Sequence, residues 1–239
     1  MFAGPNGSGK STLKSHLPSV LLGVYLNPDE LELEIARKGF LDFSTFGINT
    51  TAAEALAFFQ TSPFLISSGF GESVRKLTYT DGHLEFRTLP INSYIASVAS
   101  DFIRRKLIEQ KTSFTFETVM SHPGKIDLLT QAKSSGYRTY LYFVATDDPA
   151  INISRVRSRV KLGGHAVPED RIEARYHRSL DLLMEAIQRT NRAYIFDNSG
   201  DNAAGQHTWL AEITEGRKLE LKSDQIPAWF TRAVLNKIA

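Results

Sequence analysis

The sequence predicts an α/β fold: a doubly wound, mostly parallel sheet with helices on both faces. Three observations carry this expectation. Short β-branched or aromatic runs alternate with helical stretches along the chain, the pattern of parallel strands joined by crossover helices. The 239 residues, 42% hydrophobic and 23% charged, suit a globular domain with a sizeable core. The octapeptide Gly4-Pro5-Asn6-Gly7-Ser8-Gly9-Lys10-Ser11 fits G-x-x-x-x-G-K-[ST] at every fixed position and opens a helix.

Only Met1-Phe2-Ala3 precede that loop, so the first strand is expected to be cut short or built from very few residues. A helix runs from Lys10 to about Leu17 and stops at Pro18. Val20 to Leu26 is a short apolar run and predicts a buried strand. Asn27-Pro28-Asp29-Glu30 follows it, and a helix is expected to about Lys38, before Gly39. Thr50 to Gln60 places Ala53, Leu56, Ala57 and Gln60 at helical spacing.

Residues 62–90 break the rhythm. Val74–Tyr79 and His83–Leu89 flank Thr80-Asp81-Gly82, and Asp-Gly between such segments predicts an inserted β-hairpin. A helix follows over Ile91–Lys111, a short strand over Phe114–Phe116 ending at Glu117, and a helix over Ile126–Ser135. Thr139–Val144 is the most strand-like run. Ala150–Lys161 and Pro168–Thr190 read as helices joined through Gly163-Gly164. Ala193–Phe196 and Lys218–Leu221 are strands, and a closing helix follows Pro227. Together these make one domain over 1–239, with an insertion at about 62–90 and a helical lid at about 150–180.

Composition excludes several classes. A net charge of +2 gives no electrostatic footprint for nucleic acid. With no cysteine there is no disulfide and no thiolate metal site, and a reducing, cytoplasmic setting is expected. No apolar run approaches the roughly 18 residues of a membrane span, and no basic segment followed by an apolar stretch marks a signal peptide.

The loop at residues 4–11 has the chemistry of a phosphate grip. Gly4, Gly7 and Gly9 let backbone N–H groups approach a phosphate closely, with Pro5, Asn6 and Ser8 between them and Thr12 just beyond. The following helix adds the positive end of its dipole. Lys10 would reach the β- and γ-phosphates of ATP, and the Ser11 hydroxyl would ligate Mg²⁺.

Phosphoryl transfer also needs a carboxylate for the acceptor proton, metal ligands and cations. Asp29, just past the second strand, is a candidate general base; a helix N-cap is the other reading of the same residue. Glu117, at a strand end beside the loop, suits Mg²⁺ through water or acceptor hydroxyls, or is a solvated loop acid. Asp147 and Asp148 read as the cap of the next helix, with Pro149 in its first turn. Arg155, Arg157, Arg159, Lys161, Arg171, Arg175 and Arg178 crowd around Gly163-Gly164. Arg155 and Arg159 share one helix face, and Arg171, Arg175 and Arg178 another. Two such helices make a lid over ATP, or a solvated hairpin paired with Glu169, Asp170 and Glu173. His165 in the hinge contacts phosphate or caps a helix.

Taken together, Ala3–Thr12, Asn27–Glu30, Phe116-Glu117-Thr118, Gly163–Pro168, Arg175–Ser179 and Phe196–Ser199 resemble the zeta-toxin family of P-loop kinases. The resemblance implies an ATP-dependent kinase of UDP-N-acetylglucosamine or a related UDP-sugar, toxic to the cell and held inactive by a separate antitoxin chain. It gives the base role to Asp29, acceptor binding to Asn27, Glu117 and Thr118, and nucleotide contacts to Arg155, Arg159, Arg175 and Arg178, with Arg159 and Arg175 catalytic beside Lys10. The hairpin near Thr80-Asp81-Gly82 is not part of that pattern and is a place to reshape the acceptor pocket or bind a partner. A kinase of another small acceptor (a nucleoside, nucleotide or antibiotic) and a non-catalytic nucleotide-binding module remain alternatives. A transport-type ATPase would need a Leu-Ser-Gly-Gly-Gln-like signature and an acidic pair ending an apolar strand, and the sequence has neither.

Overall fold

The computed structural model describes residues 1–87, 89–164, 166–200 and 207–238. Among these the strands, in chain order, are β1 (Phe2–Ala3), β2 (Val24–Leu26), β3 (Phe40–Asp42), β4 (Thr78–Thr80), β5 (His83–Glu85), β6 (Phe114–Thr118), β7 (Tyr140–Ala145), β8 (Arg192–Asp197), β9 (Thr208–Thr214) and β10 (Lys218–Leu221). The helices are α1 (Lys10–Ser15), α2 (Pro28–Lys38), α3 (Ala52–Gln60), α4 (Pro63–Leu65), α5 (Gly71–Val74), α6 (Ser93–Glu109), α7 (Gly124–Ser134), α8 (Pro149–Lys161), α9 (Glu169–Asp181), α10 (Leu183–Gln188) and α11 (Ala228–Phe230). The chain divides into two compact units, one of residues 1–21 and 117–239, the other of residues 22–116.

In the first unit, two residues suffice for the strand ahead of the phosphate loop because it is paired on both sides. β1 lies parallel to β6, with Phe2 opposite Glu117, and parallel to β7, with Phe2 opposite Tyr142. Phe2 and Ala3 are wholly buried. The Met1 ammonium is buried too and donates to the Tyr140 carbonyl at 2.7 Å. Burial disfavours its charge and lowers its pKa to about 5. β7 pairs parallel with β8, and β8–β9 and β9–β10 are antiparallel.

One sheet face carries a row of rings: Phe2 stacks on Tyr142 at 5.0 Å and Tyr142 on Tyr194 at 4.9 Å. Such cross-strand pairs contribute roughly 0.2–1 kcal/mol each. Phe143, on the alternate side of β7, lies 6.2 Å from the buried Trp229 of α11. Leu141, Ile195, Leu210, Leu183, Ile187, Phe230 and Val234 are also wholly buried in this unit.

The second unit has its own core. β2 pairs parallel with the first residues of β6, Val24 opposite Phe114. β3, β5 and β4 form a separate antiparallel sheet. The predicted hairpin is present: Asp81 and Gly82 both take positive φ, 50° and 84°, as a two-residue hairpin turn demands. Phe43, Phe59 and Phe86 are buried, and Phe102 of α6 meets Phe43 at 5.2 Å and Phe58 at 5.1 Å. Asn92 caps α6 by accepting from the N–H groups of Tyr94 and Ile95, and Thr51 and Glu54 close a capping box at α3. Residues 62–90 are therefore part of a larger unit with its own aromatic core.

The α/β expectation, with a mostly parallel sheet, is borne out. Several elements differ from it. Val20 to Leu22 is not strand: Ser19–Leu21 is a helical turn with Val20 and Leu21 exposed, and Gly23 at φ 59° resets the chain before β2. A Cβ on Gly23 would collide with the Ser113 carbonyl, so the close approach of β2 to β6 requires the glycine. The long helix expected over 168–190 breaks at Leu182 into α9 and α10. β3 and β9 were not expected.

Candidate functional site

The phosphate loop connects β1 to α1. Its shape depends on glycine at three packed positions: a Cβ on Gly4 (φ 141°) would strike the Val144 carbonyl, one on Gly7 (φ 74°) the Asn152 carbonyl, and one on Gly9 (φ 96°) the Asn198 amide. Within the loop the Ser8 N–H donates to the Pro5 carbonyl at 3.3 Å. Lys10 curls over the loop and donates Nζ to the Gly4 and Pro5 carbonyls at 2.8 and 2.9 Å. Ser8 is wholly buried, and its Oγ and the buried Asn6 Oδ1 have no hydrogen-bond partner among the described residues.

The next residue meets the predicted acid. Ser11 Oγ donates to Glu117 Oε2 at 3.3 Å, across 106 positions of sequence. β6 places Glu117 there because its register with β1 sets Glu117 opposite Phe2, and the carboxylate is 7% exposed. Mg²⁺ favours one or two protein oxygens with waters and substrate phosphates in its remaining positions. A serine hydroxyl beside a carboxylate at a phosphate loop is that donor set. Among the described residues no cluster of three or more His, Asp or Glu forms an all-protein metal cage. Thr118, next along β6, accepts from the Met120 N–H at 3.0 Å and shapes the turn there.

α8 and α9 carry the arginines. Asp148 caps α8 by accepting the Ala150 N–H at 2.7 Å, with Pro149 in the first turn. Arg155 is half-buried and grips the loop after β8, with Nη1 on the Asn198 carbonyl at 2.7 Å and Nη2 on the Gly200 carbonyl at 3.2 Å. Arg159 and Arg178 are exposed, and Arg175 is half-buried. Arg157 pairs with Glu169 across the hinge, Nη2 to Oε2 at 2.8 Å, which holds the Glu169 carboxyl below its usual range. The predicted lid is anchored at its base: Asn152, Val156, Ile172, Tyr176 and Ser179 are buried. Tyr176 Oη donates to the Thr146 carbonyl at 2.7 Å, Ser179 Oγ to the Val119 carbonyl at 2.8 Å. Burial pushes the Tyr176 phenol up to about 12. The exposed part is the tip, where Leu162 stands 89% exposed. His165 lies outside the described residues.

Asn27 and Asp29 belong to the second unit. Asn27 caps α2, accepting the Asp29 N–H on its own Oδ1 at 3.0 Å. The cap reading of Asp29 is thereby corrected: Asn27 supplies the side-chain acceptor, and Asp29 is an exposed acid in the first turn.

Sequence reasoning missed the polar side chains that hold the loop from outside. Asn152 Nδ2 donates to the Asn6 carbonyl at 2.6 Å and Asn198 Nδ2 to the Ser8 carbonyl at 2.8 Å. His207 Nε2 lies 3.0 Å from the Gly9 carbonyl. Nearby, Asp197 Oδ1 accepts from the indole of Trp229 and from Ser199 Oγ, each at 2.7 Å. The only sequence signal was the Phe196–Ser199 segment.

Residues 95–204 match the family model for zeta toxin. The match covers Glu117, Thr118, the arginine cluster and Asn198, and begins after the phosphate loop and Asp29. An uncharacterized protein of Haemophilus influenzae is 26% identical over 113 residues, 45% of this chain and 79% of that protein. Among solved structures, the AvrRxo1-ORF1:AvrRxo1-ORF2 complex with sulphate ions is similar with a TM-score of 0.55 at 15% identity, over 93% of this chain and 60% of that chain. The same complex with ATP gives 0.55 at 15% identity, over 99% and 62%. The chain thus spans about three fifths of the length of these solved chains. The likeness shows a shared fold.

Proposed function

We propose that the chain is an ATP-dependent kinase of the zeta-toxin type, transferring the γ-phosphate of ATP to a sugar hydroxyl of UDP-N-acetylglucosamine or a related UDP-sugar. The observation that carries this reading is the Ser11–Glu117 contact beside an intact phosphate loop, 3.3 Å from hydroxyl to carboxylate. ATP in the crystals of a similarly folded protein supports the choice of nucleotide.

In this reading Lys10 leaves the Gly4 and Pro5 carbonyls for the β- and γ-phosphate oxygens. Ser11 and Glu117 would hold Mg²⁺, which when bound would supply positive charge beside the phosphates. Asp29 takes the proton of the acceptor hydroxyl as its oxygen bonds to the γ-phosphorus and the β–γ bridging bond breaks, releasing ADP. Asn27, Glu117 and Thr118 orient the acceptor. Arg159 and Arg175 stabilise the transferring group, and Arg155 and Arg178 hold the nucleotide. The reaction makes the protein a toxin of the cytoplasm, and a separate antitoxin chain is the expected partner. The solved neighbours are themselves two-chain complexes. Among the described residues no helix is long and apolar enough to cross a membrane.

A second reading changes only the acceptor. The family match begins at residue 95, so Asn27, Asp29 and most of the second unit lie outside it. A nucleoside, nucleotide or antibiotic acceptor fits that observation. The test is a panel of acceptors with Mg·ATP, read by mass for the gain of one phosphate. Asp29→Ala should keep ATP affinity and lose about 10²- to 10⁴-fold in turnover. Full turnover by that variant would refute the base assignment, and no transfer to any acceptor would refute the kinase.

A further inference from the structure

Taking the loop as a nucleotide grip, as proposed above, we infer that Asn152 and Asn198 are positioning residues that set which way its peptides face. In a planar trans peptide the carbonyl of one residue and the N–H of the next point in opposite directions. The described backbone contains no cis bond. Asn152 Nδ2 holds the Asn6 carbonyl at 2.6 Å, so the Gly7 N–H is turned to the other side. Asn198 Nδ2 holds the Ser8 carbonyl at 2.8 Å, and the Gly9 N–H is turned likewise. Phosphate needs N–H groups presented together, and these two peptides are oriented by side chains from outside the motif.

Both residues are themselves held, Asn152 through its side chain and Asn198 through its backbone. Asn152 is wholly buried, and its Oδ1 accepts the Thr146 hydroxyl, which fixes its NH₂ toward the loop. Tyr176 Oη in turn holds the Thr146 carbonyl. The Asn198 backbone N–H donates to the Ala145 carbonyl at 2.8 Å, and its carbonyl accepts Arg155. The loop glycines are shaped around these residues: a Cβ on Gly7 would collide with the Asn152 carbonyl, and one on Gly9 with the Asn198 amide. Gly7 and Gly9 thus make room for the braces as well as for a phosphate.

The decisive substitution keeps shape and removes the donor. Asn152→Asp and Asn198→Asp each set a carboxylate against a carbonyl oxygen, which releases the peptide to turn over. Binding of Mg²⁺-tripolyphosphate and of adenosine to the full chain is measured by ligand-observed NMR, with folding checked by circular dichroism. Each variant should bind tripolyphosphate at least about tenfold more weakly, the loss of one good contact, and adenosine within about twofold of the unmodified chain. Tripolyphosphate binding within twofold of the unmodified chain, or equal loss of both ligands, overturns the inference. Asn152→Ala and Asn198→Ala, which remove the donor without adding charge beside the anion, should give the same selective loss and stand alone if an aspartate variant fails to fold; a loss seen only with aspartate is charge repulsion and overturns the inference. An unmodified chain that binds tripolyphosphate, weakened by both substitutions, but phosphorylates no acceptor sinks the kinase reading and leaves this inference standing. An unmodified chain that binds no tripolyphosphate overturns both.

Discussion

In a polypeptide of these 239 residues with Met1 as its first residue, the buried amine makes stability depend on pH in a way that one chemical change removes. Unfolded, the amine holds its proton up to about pH 8; folded, it does so only below about pH 5. Between those values the unfolded chain binds more protons than the folded one, so stability rises with pH and is lost as pH falls from 8 toward 5. Three pH units at about 1.4 kcal/mol each amount to about 4 kcal/mol, a large part of the roughly 5–15 kcal/mol of a whole domain. Acetylating Met1 removes the charge and keeps the N–H that donates to the Tyr140 carbonyl. Urea unfolding of the two forms from pH 5.5 to 8.5 isolates the effect, because the six histidines cancel in the difference. Relative to the free amine, the acetylated chain should gain about 3 kcal/mol as pH falls from 8 to 5.5, on top of any pH-independent cost of seating the acetyl group. A difference that stays flat across this window refutes the reasoning.

Tyr176→Phe strips the phenol donor from the Thr146 carbonyl and should cost about 1–2 kcal/mol in urea unfolding; an unchanged midpoint contradicts it. Gly4→Ala puts a Cβ into the Val144 carbonyl at a left-handed φ and should cost about 3 kcal/mol or more, seen as a lower melting temperature. Glu117→Gln leaves the Ser11 hydroxyl an uncharged partner. The Mg²⁺ concentration needed for half-maximal ATP binding should rise about 10- to 100-fold, and an unaltered Mg²⁺ dependence would remove Glu117 from the metal site.

What was legible in the sequence is what short-range chemistry decides. The phosphate loop, the Asp81-Gly82 turn, the Asp148-Pro149 helix start and the apolar run of β7 each announce themselves within a few residues. β3 was not legible because Phe40-Leu41-Asp42 becomes a strand only by pairing with His83–Glu85. β9 joins β10 through Glu215-Gly216, both at positive φ, a turn without the Asn-Gly or Asp-Gly signature. Val20 to Leu22 looked apolar enough for a strand, yet Gly23 interrupts the backbone and leaves Val20 exposed. Glu117 was readable as an acid at a strand end; its partner Ser11 needed the β1–β6 register. Asn152 carried no local signal and Asn198 only its place in Phe196–Ser199, since an asparagine reveals a distant carbonyl only after folding.

The loop and the side chains that hold it are far apart in sequence, and that distance is also an interval of time. Ser11 awaits Glu117 for 106 residues, Asn6 awaits Asn152 for 146, and Ser8 awaits Asn198 for 190. At roughly 5–20 residues per second the last of these gaps takes about 10–40 s of synthesis. A chain still on the ribosome therefore carries the loop of residues 4–11 long before it carries the residues bonded to it. Trp229, which steadies Asp197 beside Asn198, emerges later still. The loop of residues 4–11 is thus made well before the side chains that finish it.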